Sequence, residues 1–258
     1  MEFRPCIDIH DGAVKQIVGG TLKESGANEN FVSTQDAAFY ANMYKQRSIK
    51  GGHVILLNKI GTVEYELTKK QALLALDTYK NGLQIGGGIN TDNAPEFLDA
   101  GASHVIVTSF VFRNGLIDFE RLDELVKITG KKRLVLDLSC RKKDDSYLIV
   151  TDRWQKYTDT YLNKETMEKL EKYCDEYLIH AVDVEGKSAG PDEVLIDVLG
   201  SYDGISVTYA GGVHSFEDLK TIKKQTNGKV NVTIGSALDI FGGNMKFDEV
   251  IEYINKAE

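Results

Sequence analysis

Cysteine is scarce in this sequence. Cys6, Cys140 and Cys174 are widely spaced and form no CxxC pair, which argues against a disulfide framework or a cysteine-built zinc site and fits a reducing compartment, by default the cytoplasm. No apolar run approaches the roughly 20 residues that span a bilayer, so no membrane partner is expected. Met1-Glu2-Phe3-Arg4-Pro5 passes directly into a strand-like run, which leaves no targeting signal to account for. Positive charge is also in deficit: with a formal net charge of −8 the chain lacks the basic field that nucleic-acid binding requires, and an anionic ligand must be gripped locally. No Pro-, Gly- or Ser-rich linker divides the 258 residues, so residues 1–258 are expected to form a single domain.

What the chain has instead is alternation. Apolar runs of strand length lie at Phe3 to Ile9, His53 to Leu57, Leu83 to Ile85, His104 to Val107, Arg133 to Leu138, Tyr177 to His180, Ile205 to Tyr209 and Val230 to Ile234. Helix-like segments separate them, with apolar residues three and four apart, as in Phe119, Leu122, Leu125 and Val126 or Phe247, Val250, Ile251 and Ile254. Helix starts are signalled by Thr91-Asp92-Asn93, Asn163, and Ser215 with Asp218 three residues on. Strand–helix alternation implies parallel pairing through right-handed crossovers, and about eight units close into an α/β fold of the (β/α)8 barrel type. The polar, weakly periodic segments Gly19 to Phe31 and Cys140 to Leu162 are predicted to be long loops acting as lids after strands one and five.

The two halves of the chain, approximately 1–130 and 131–258, repeat each other. Cys6-Ile7-Asp8-Ile9 matches Val135-Leu136-Asp137-Leu138, and Ile85-Gly86-Gly87-Gly88 matches Tyr209-Ala210-Gly211-Gly212, each glycine cluster lying roughly 75 to 80 residues after its aspartate. Val107-Thr108-Ser109 and Ile234-Gly235-Ser236 then close strands four and eight. All fall at carboxyl ends of strands, where barrel sites are built. Gly87, Gly88, Gly211 and Gly212 would let backbone N–H groups approach an anion, and a helix N-terminus behind each would add its dipole. Thr108, Ser109, Gly235 and Ser236 would supply further donors. Cradles on opposite sides of the ring predict an elongated small molecule with a phosphate at each end. Asp8 and Asp137 would face its middle as an acid–base pair that needs no metal and no organic cofactor.

Other candidates are less complete. Asp8 and His10 share a strand face but no third metal ligand is near in sequence, and Cys140 has no adjacent base. Lys15 is either a counter-charge to the ligand or surface. Trp154, in the polar stretch Asp152-Arg153-Trp154-Gln155-Lys156, either stacks on a planar ring when the loop closes or anchors the loop on the rim.

Taken in order, Pro5-Cys-Ile-Asp8-Ile-His-Asp-Gly12, Gly86-Gly-Gly-Ile-Asn90, Val135-Leu-Asp137-Leu-Ser-Cys-Arg141, His180-Ala-Val-Asp-Val-Glu-Gly186, Tyr209-Ala-Gly-Gly212 and Thr233-Ile-Gly-Ser236 resemble the phosphoribosylformimino-5-aminoimidazole carboxamide ribotide isomerase family of histidine biosynthesis. Asp137-Leu-Ser-Cys-Arg-Lys and Leu238-Asp-Ile-Phe-Gly-Gly243 are similar to its fungal and plant branch. The resemblance implies an Amadori rearrangement of a bis-phosphorylated aminoaldose. In it Asp8 is the base at C2′, Asp137 the acid that opens the furanose ring, and Trp154 the cover of the aminoimidazole. Two positions depart from the bacterial pattern: His180-Ala181-Val182-Asp183 replaces a Thr followed by an acidic residue, and Leu56-Leu57-Asn58 lacks the Asp-Leu-Asp sequence. Two rivals stand beside this reading. The cyclase subunit of imidazole glycerol phosphate synthase shares the duplicated aspartates and needs a glutaminase partner, whereas the isomerase needs no obligate protein partner. A non-catalytic phosphosugar-binding barrel would not need an opposed carboxyl pair.

Overall fold

The computed structural model describes residues 1–17, 21, 28–187 and 189–256. Eight parallel strands, β1 (Cys6–His10), β2 (Gly52–Leu56), β3 (Leu83–Gly86), β4 (His104–Val107), β5 (Leu134–Asp137), β6 (Glu176–His180), β7 (Ser206–Ala210) and β8 (Val230–Thr233), are laid side by side in chain order. The helix that follows each is α1 (Ala37–Gln46), α2 (Val63–Thr78), α3 (Ala94–Asp99), α4 (Phe119–Thr129), α5 (Lys164–Leu170), α6 (Glu193–Gly200), α7 (Phe216–Gln225) and α8 (Phe247–Asn255). The ring closes just before β1, where Arg4 N donates to Val232 O at 2.9 Å and Val232 N donates to Glu2 O at 3.0 Å. Each predicted strand run overlaps one of these strands, and the architecture is the expected (β/α)8 barrel.

Alternation along each strand fills the barrel in layers. On β6, Glu176, Leu178 and His180 face the axis in turn: Glu176 accepts from Gln84 Nε2 at 2.8 Å, Leu178 packs with Ile106, Val135 and Ala210, and His180 reaches the open mouth. Odd-numbered β6 residues face the helices, with Tyr177 wholly buried in the larger core shared by strands and helices. The Asn163 and Ser215 helix starts cap as anticipated, Ser215 and Asp218 forming a reciprocal box.

The segment predicted as a loop from Cys140 to Leu162 is instead a three-stranded antiparallel sheet of Cys140–Lys143, Ser146–Thr151 and Lys156–Tyr161. Its middle strand is buried on both faces from Tyr147 to Thr151, with Tyr147 and Ile149 packed into the core, so burial overrides the charged surroundings. Of the other predicted loop, 19–20 and 22–27 lie outside the described residues. Its end, Glu29–Val32, is a strand paired with Ala13–Ile17, which itself turns back on β1.

Candidate active site

The carboxyl ends of the strands open into a cavity of about 500 Å³. Asp8 and Asp137, Trp154, and the pairs Gly87–Gly88, Thr108–Ser109, Gly211–Gly212 and Gly235–Ser236 all line it. Lys15 and Cys140 do not. Lys15 is buried against Glu29 at 2.6 Å and Asp11 at 3.5 Å, and Cys140 is a buried residue that begins the first strand of the three-stranded sheet.

The repeat persists in the backbone. Gly87 and Gly88 have φ of 101° and 73°, and their counterparts Gly211 and Gly212 have 136° and 73°. The N–H groups of these four glycines, of Ser109 and of Ser236, all cavity-lining residues, donate to no acceptor among the described residues. At the starts of the helices behind them, some N–H groups already have side-chain acceptors. Asp218 Oδ2 accepts from His214 N and Ser215 N at the start of α7, and Asn90 and Asn93 bond each other before α3. A Cβ on Gly212 would lie 2.0 Å from the Gly190 carbonyl oxygen, at a φ that side chains rarely adopt. Gly212→Ala is expected to raise KM by about 10- to 100-fold, the loss of a charge-assisted hydrogen-bond pair, with a much smaller change in kcat in steady-state kinetics. An unchanged KM would remove this cradle from ligand binding.

The two carboxylates sit in opposite electrostatic settings. Burial at the floor of the cavity, reinforced by Glu185, pushes the Asp8 carboxyl up to about 7, against the opposing pull of His180, Cys6 and Gln16. Gln16 Nε2 donates to Asp8 Oδ2 at 3.4 Å and to Cys6 Sγ at 3.6 Å. Asp137 is also buried, which would raise it, but the His180 charge and the bonds from Ser139 and His180 outweigh burial and hold it below the usual carboxylate range. Ser139 N donates to Asp137 Oδ1 at 2.8 Å, the Ser139 hydroxyl bonds the same oxygen, and His180 Nδ1 lies 3.1 Å from Ser139 Oγ and 3.6 Å from Asp137 Oδ1. Burial works against a charged His180, yet Asp137, Glu185 and Asp8 together lift its imidazole to about 8. Across the barrel His53, pressed by burial and by the neighbouring His180 charge, falls to about 3 and is neutral.

Trp154 reaches this group on a turn in which Asp152, Arg153 and Trp154 all have positive φ, of 53°, 57° and 65°. Its ring centroid is 5.4 Å from that of His180. Asp152 N donates to Ser109 Oγ at 3.1 Å, so the tryptophan turn is fastened to the residues just past β4. His180, Ser139, Gln16, His53 and Glu185 were not singled out from sequence. His180 carried a signal nonetheless, since it ends a strand where the bacterial pattern is broken. Asn58, at the other departure, lines the cavity while accepting from Asp11 N at 2.8 Å and from Thr68 Oγ1 at 2.7 Å.

Residues 2–246 match the family described as histidine biosynthesis protein. The chain is 53% identical over 262 residues to a Medicago truncatula protein, covering 99% of this chain and 82% of that one. It is 49% identical to a Yarrowia lipolytica protein over 99% of this chain and 98% of the relative. To a Saccharomyces cerevisiae protein it is 44% identical, with the same coverage of 99% and 98%. All three are named 1-(5-phosphoribosyl)-5-((5-phosphoribosylamino)methylideneamino) imidazole-4-carboxamide isomerase, the plant protein being described as chloroplastic. No helix among the described residues is long and apolar enough to cross a membrane.

Proposed function

The chain belongs to the histidine biosynthesis protein family and is one of its isomerases, and we propose that it performs the Amadori rearrangement with Asp8 as base and Asp137 as the point of acid delivery. The observation that carries this is one cavity holding a raised and a lowered carboxyl between mirrored glycine cradles. The substrate is the aminoaldose named for the relatives, and it leaves as the aminoketose. Its two phosphates are held by the cradles, and the ribosyl carbons lie between the aspartates. The furanose C1′–O bond breaks as the ring oxygen takes a proton and the nitrogen lone pair forms a C1′–N double bond. Asp8 then removes the C2′ proton. The freed electron pair becomes the C1′–C2′ double bond, the nitrogen recovers its pair, and the resulting enol collapses to the ketone with a proton added at C1′.

Asp137 is ionised in the free protein, so its own carboxyl does not store the proton it delivers. His180 does, and the chain His180 Nδ1, Ser139 Oγ, Asp137 Oδ1 gives that proton a path to the ring oxygen. Trp154 covers the aminoimidazole and keeps water from the opened sugar. No organic cofactor and no obligate protein partner enters this scheme. A single domain of two halves, approximately 1–130 and 131–258, suffices for it. Three buried free cysteines suit a reducing compartment, which we take to be the cytoplasm.

Chelator-treated protein given the aminoaldose without ammonia is expected to yield the aminoketose, followed by chromatography. Ammonia-dependent consumption of the aminoketose would assign the cyclase reaction instead, and tight binding without turnover a phosphosugar-binding barrel. The same assay gives a pH profile. Asp8 must be ionised, so kcat/KM rises as pH increases through about 7; His180 must be protonated, so it falls as pH increases through about 8. A profile flat across this range would contradict the assignment.

A further inference from the structure

At the floor of the cavity, Cys6, Asp8 and His53 bring a thiol sulfur, a carboxylate oxygen and an imidazole nitrogen all within 4.8 Å of one another. Strand geometry makes this juxtaposition: Cys6 and Asp8 are two apart on β1 and share a face, and His53 on β2 is the register partner of Cys6. His53 is only 2% exposed and lines the cavity, and although its main-chain N–H donates to Pro5 O at 2.9 Å, its imidazole makes no hydrogen bond among the described residues. An imidazole that lines a cavity and is not engaged by protein groups is free to ligate. We propose that Cys6, Asp8 and His53 form a binding site for a zinc-type divalent cation, and that its occupation takes Asp8 out of proton transfer and silences the isomerase.

The donor set selects the ion. One sulfur, one nitrogen and one carboxylate oxygen match zinc and its neighbours and do not suit magnesium or calcium, which prefer all-oxygen shells. Metal bonds of about 2.0–2.3 Å in a tetrahedron put ligand atoms roughly 3.3–3.8 Å apart, so small side-chain rotations complete the site. Gln16 already steadies the sulfur and the carboxylate from one side with a single amide group. The fourth position faces the cavity, where water completes the shell, and the thiol proton passes to solvent as the sulfur–metal bond forms. The other cluster of ligand type, His10, Asp11 and Glu29, is already served by the Lys15 ammonium, 2.6 Å from Glu29, and does not compete.

The cation site itself stands on geometry, while the silencing rests on Asp8 being the base, and the test separates the two. Chelator-treated protein is titrated with Co²⁺ alone, following absorption, and turnover is measured on the same samples. A thiolate-to-cobalt charge-transfer band that saturates at one equivalent, is bleached by Zn²⁺, and is absent in Cys6→Ser is the expected result, with turnover falling along the same titration. His53→Gln, which keeps the sulfur, is expected to weaken Co²⁺ by at least about tenfold. No band, or a band that survives in Cys6→Ser, overturns the site. A full band with undiminished turnover overturns the silencing and the assignment of Asp8 together. Absence of turnover before any metal is added would count against the isomerase reading and leave the spectral test intact.

Discussion

Asp8→Asn is expected to lower kcat by about 10²–10⁴-fold, the usual contribution of a positioned general base, while the affinity for substrate changes by only a few-fold. The asparagine amide is close in size, can keep its bond with Gln16, and cannot accept the C2′ proton. Because burial disfavours the ionised aspartate, the variant is also expected to be at least as stable as the parent in thermal denaturation. Asp137→Asn is expected to lose turnover to a similar extent for a different reason. Without the carboxylate, the main stabilising charge beside His180 is gone, and the imidazole no longer holds its proton near neutrality. The two variants are therefore distinguishable: His180 should titrate lower in Asp137→Asn, measured by NMR of the imidazole protons. Wild-type turnover in either variant would sink the acid–base assignment, and an unmoved His180 would sink the relay.

The second large effect concerns stability at the opposite end of the barrel. Glu176 is buried in the lowest interior layer, accepting from Gln84 and from the Thr208 hydroxyl, with the Arg4 guanidinium 3.8 Å away. Glu176→Ala leaves those donors facing one another without an acceptor and is expected to cost about 3–5 kcal/mol. For a chain of this size that is a fall in Tm of roughly 10 °C. Further replacing Arg4 with Met should recover part of the loss, because the uncompensated charge is then removed as well. A shift of only a degree or two would mean that the layer tolerates water, and that the apolar ring of Ile106, Val135 and Leu178 above it carries the barrel alone.

Much of this was legible in the residues because the fold states it twice. A strand that is largely apolar and carries Asp towards its carboxyl end, then one followed by glycines, recurs in register, and the chemistry of glycine and aspartate limits what those positions can do. The Cys140–Tyr161 sheet was hidden because its outer strands, carrying Arg141, Lys142, Lys143 and Asp159, have polar composition. Only the pairing with the buried middle strand, whose Tyr147 and Ile149 join the core, reveals them as strands. His180 and Ser139 were hidden differently. They lie 41 residues apart, and nothing local to either says that the pair will meet on Asp137. Gln16 belongs to the same class, since its partner Asp8 becomes a neighbour only once the chain has doubled back on β1.

The closure of the ring on Glu2 and Arg4 constrains how the chain can be born. The seam joins residues 229 apart, as in the bond from Thr233 Oγ1 to the Arg4 carbonyl, so during synthesis the first strand must wait for almost the whole chain to emerge. Until then β1 has an unpaired edge on one side, and its cavity-facing aspartate has no finished pocket. A topology of such high contact order folds slowly and exposes strand edges meanwhile. The antiparallel turn of Ala13–Ile17 against the end of β1 supplies a local pairing that the nascent segment can make by itself. The hairpin that later carries Gln16 to Asp8 can thus first serve as a temporary guard for that part of the strand.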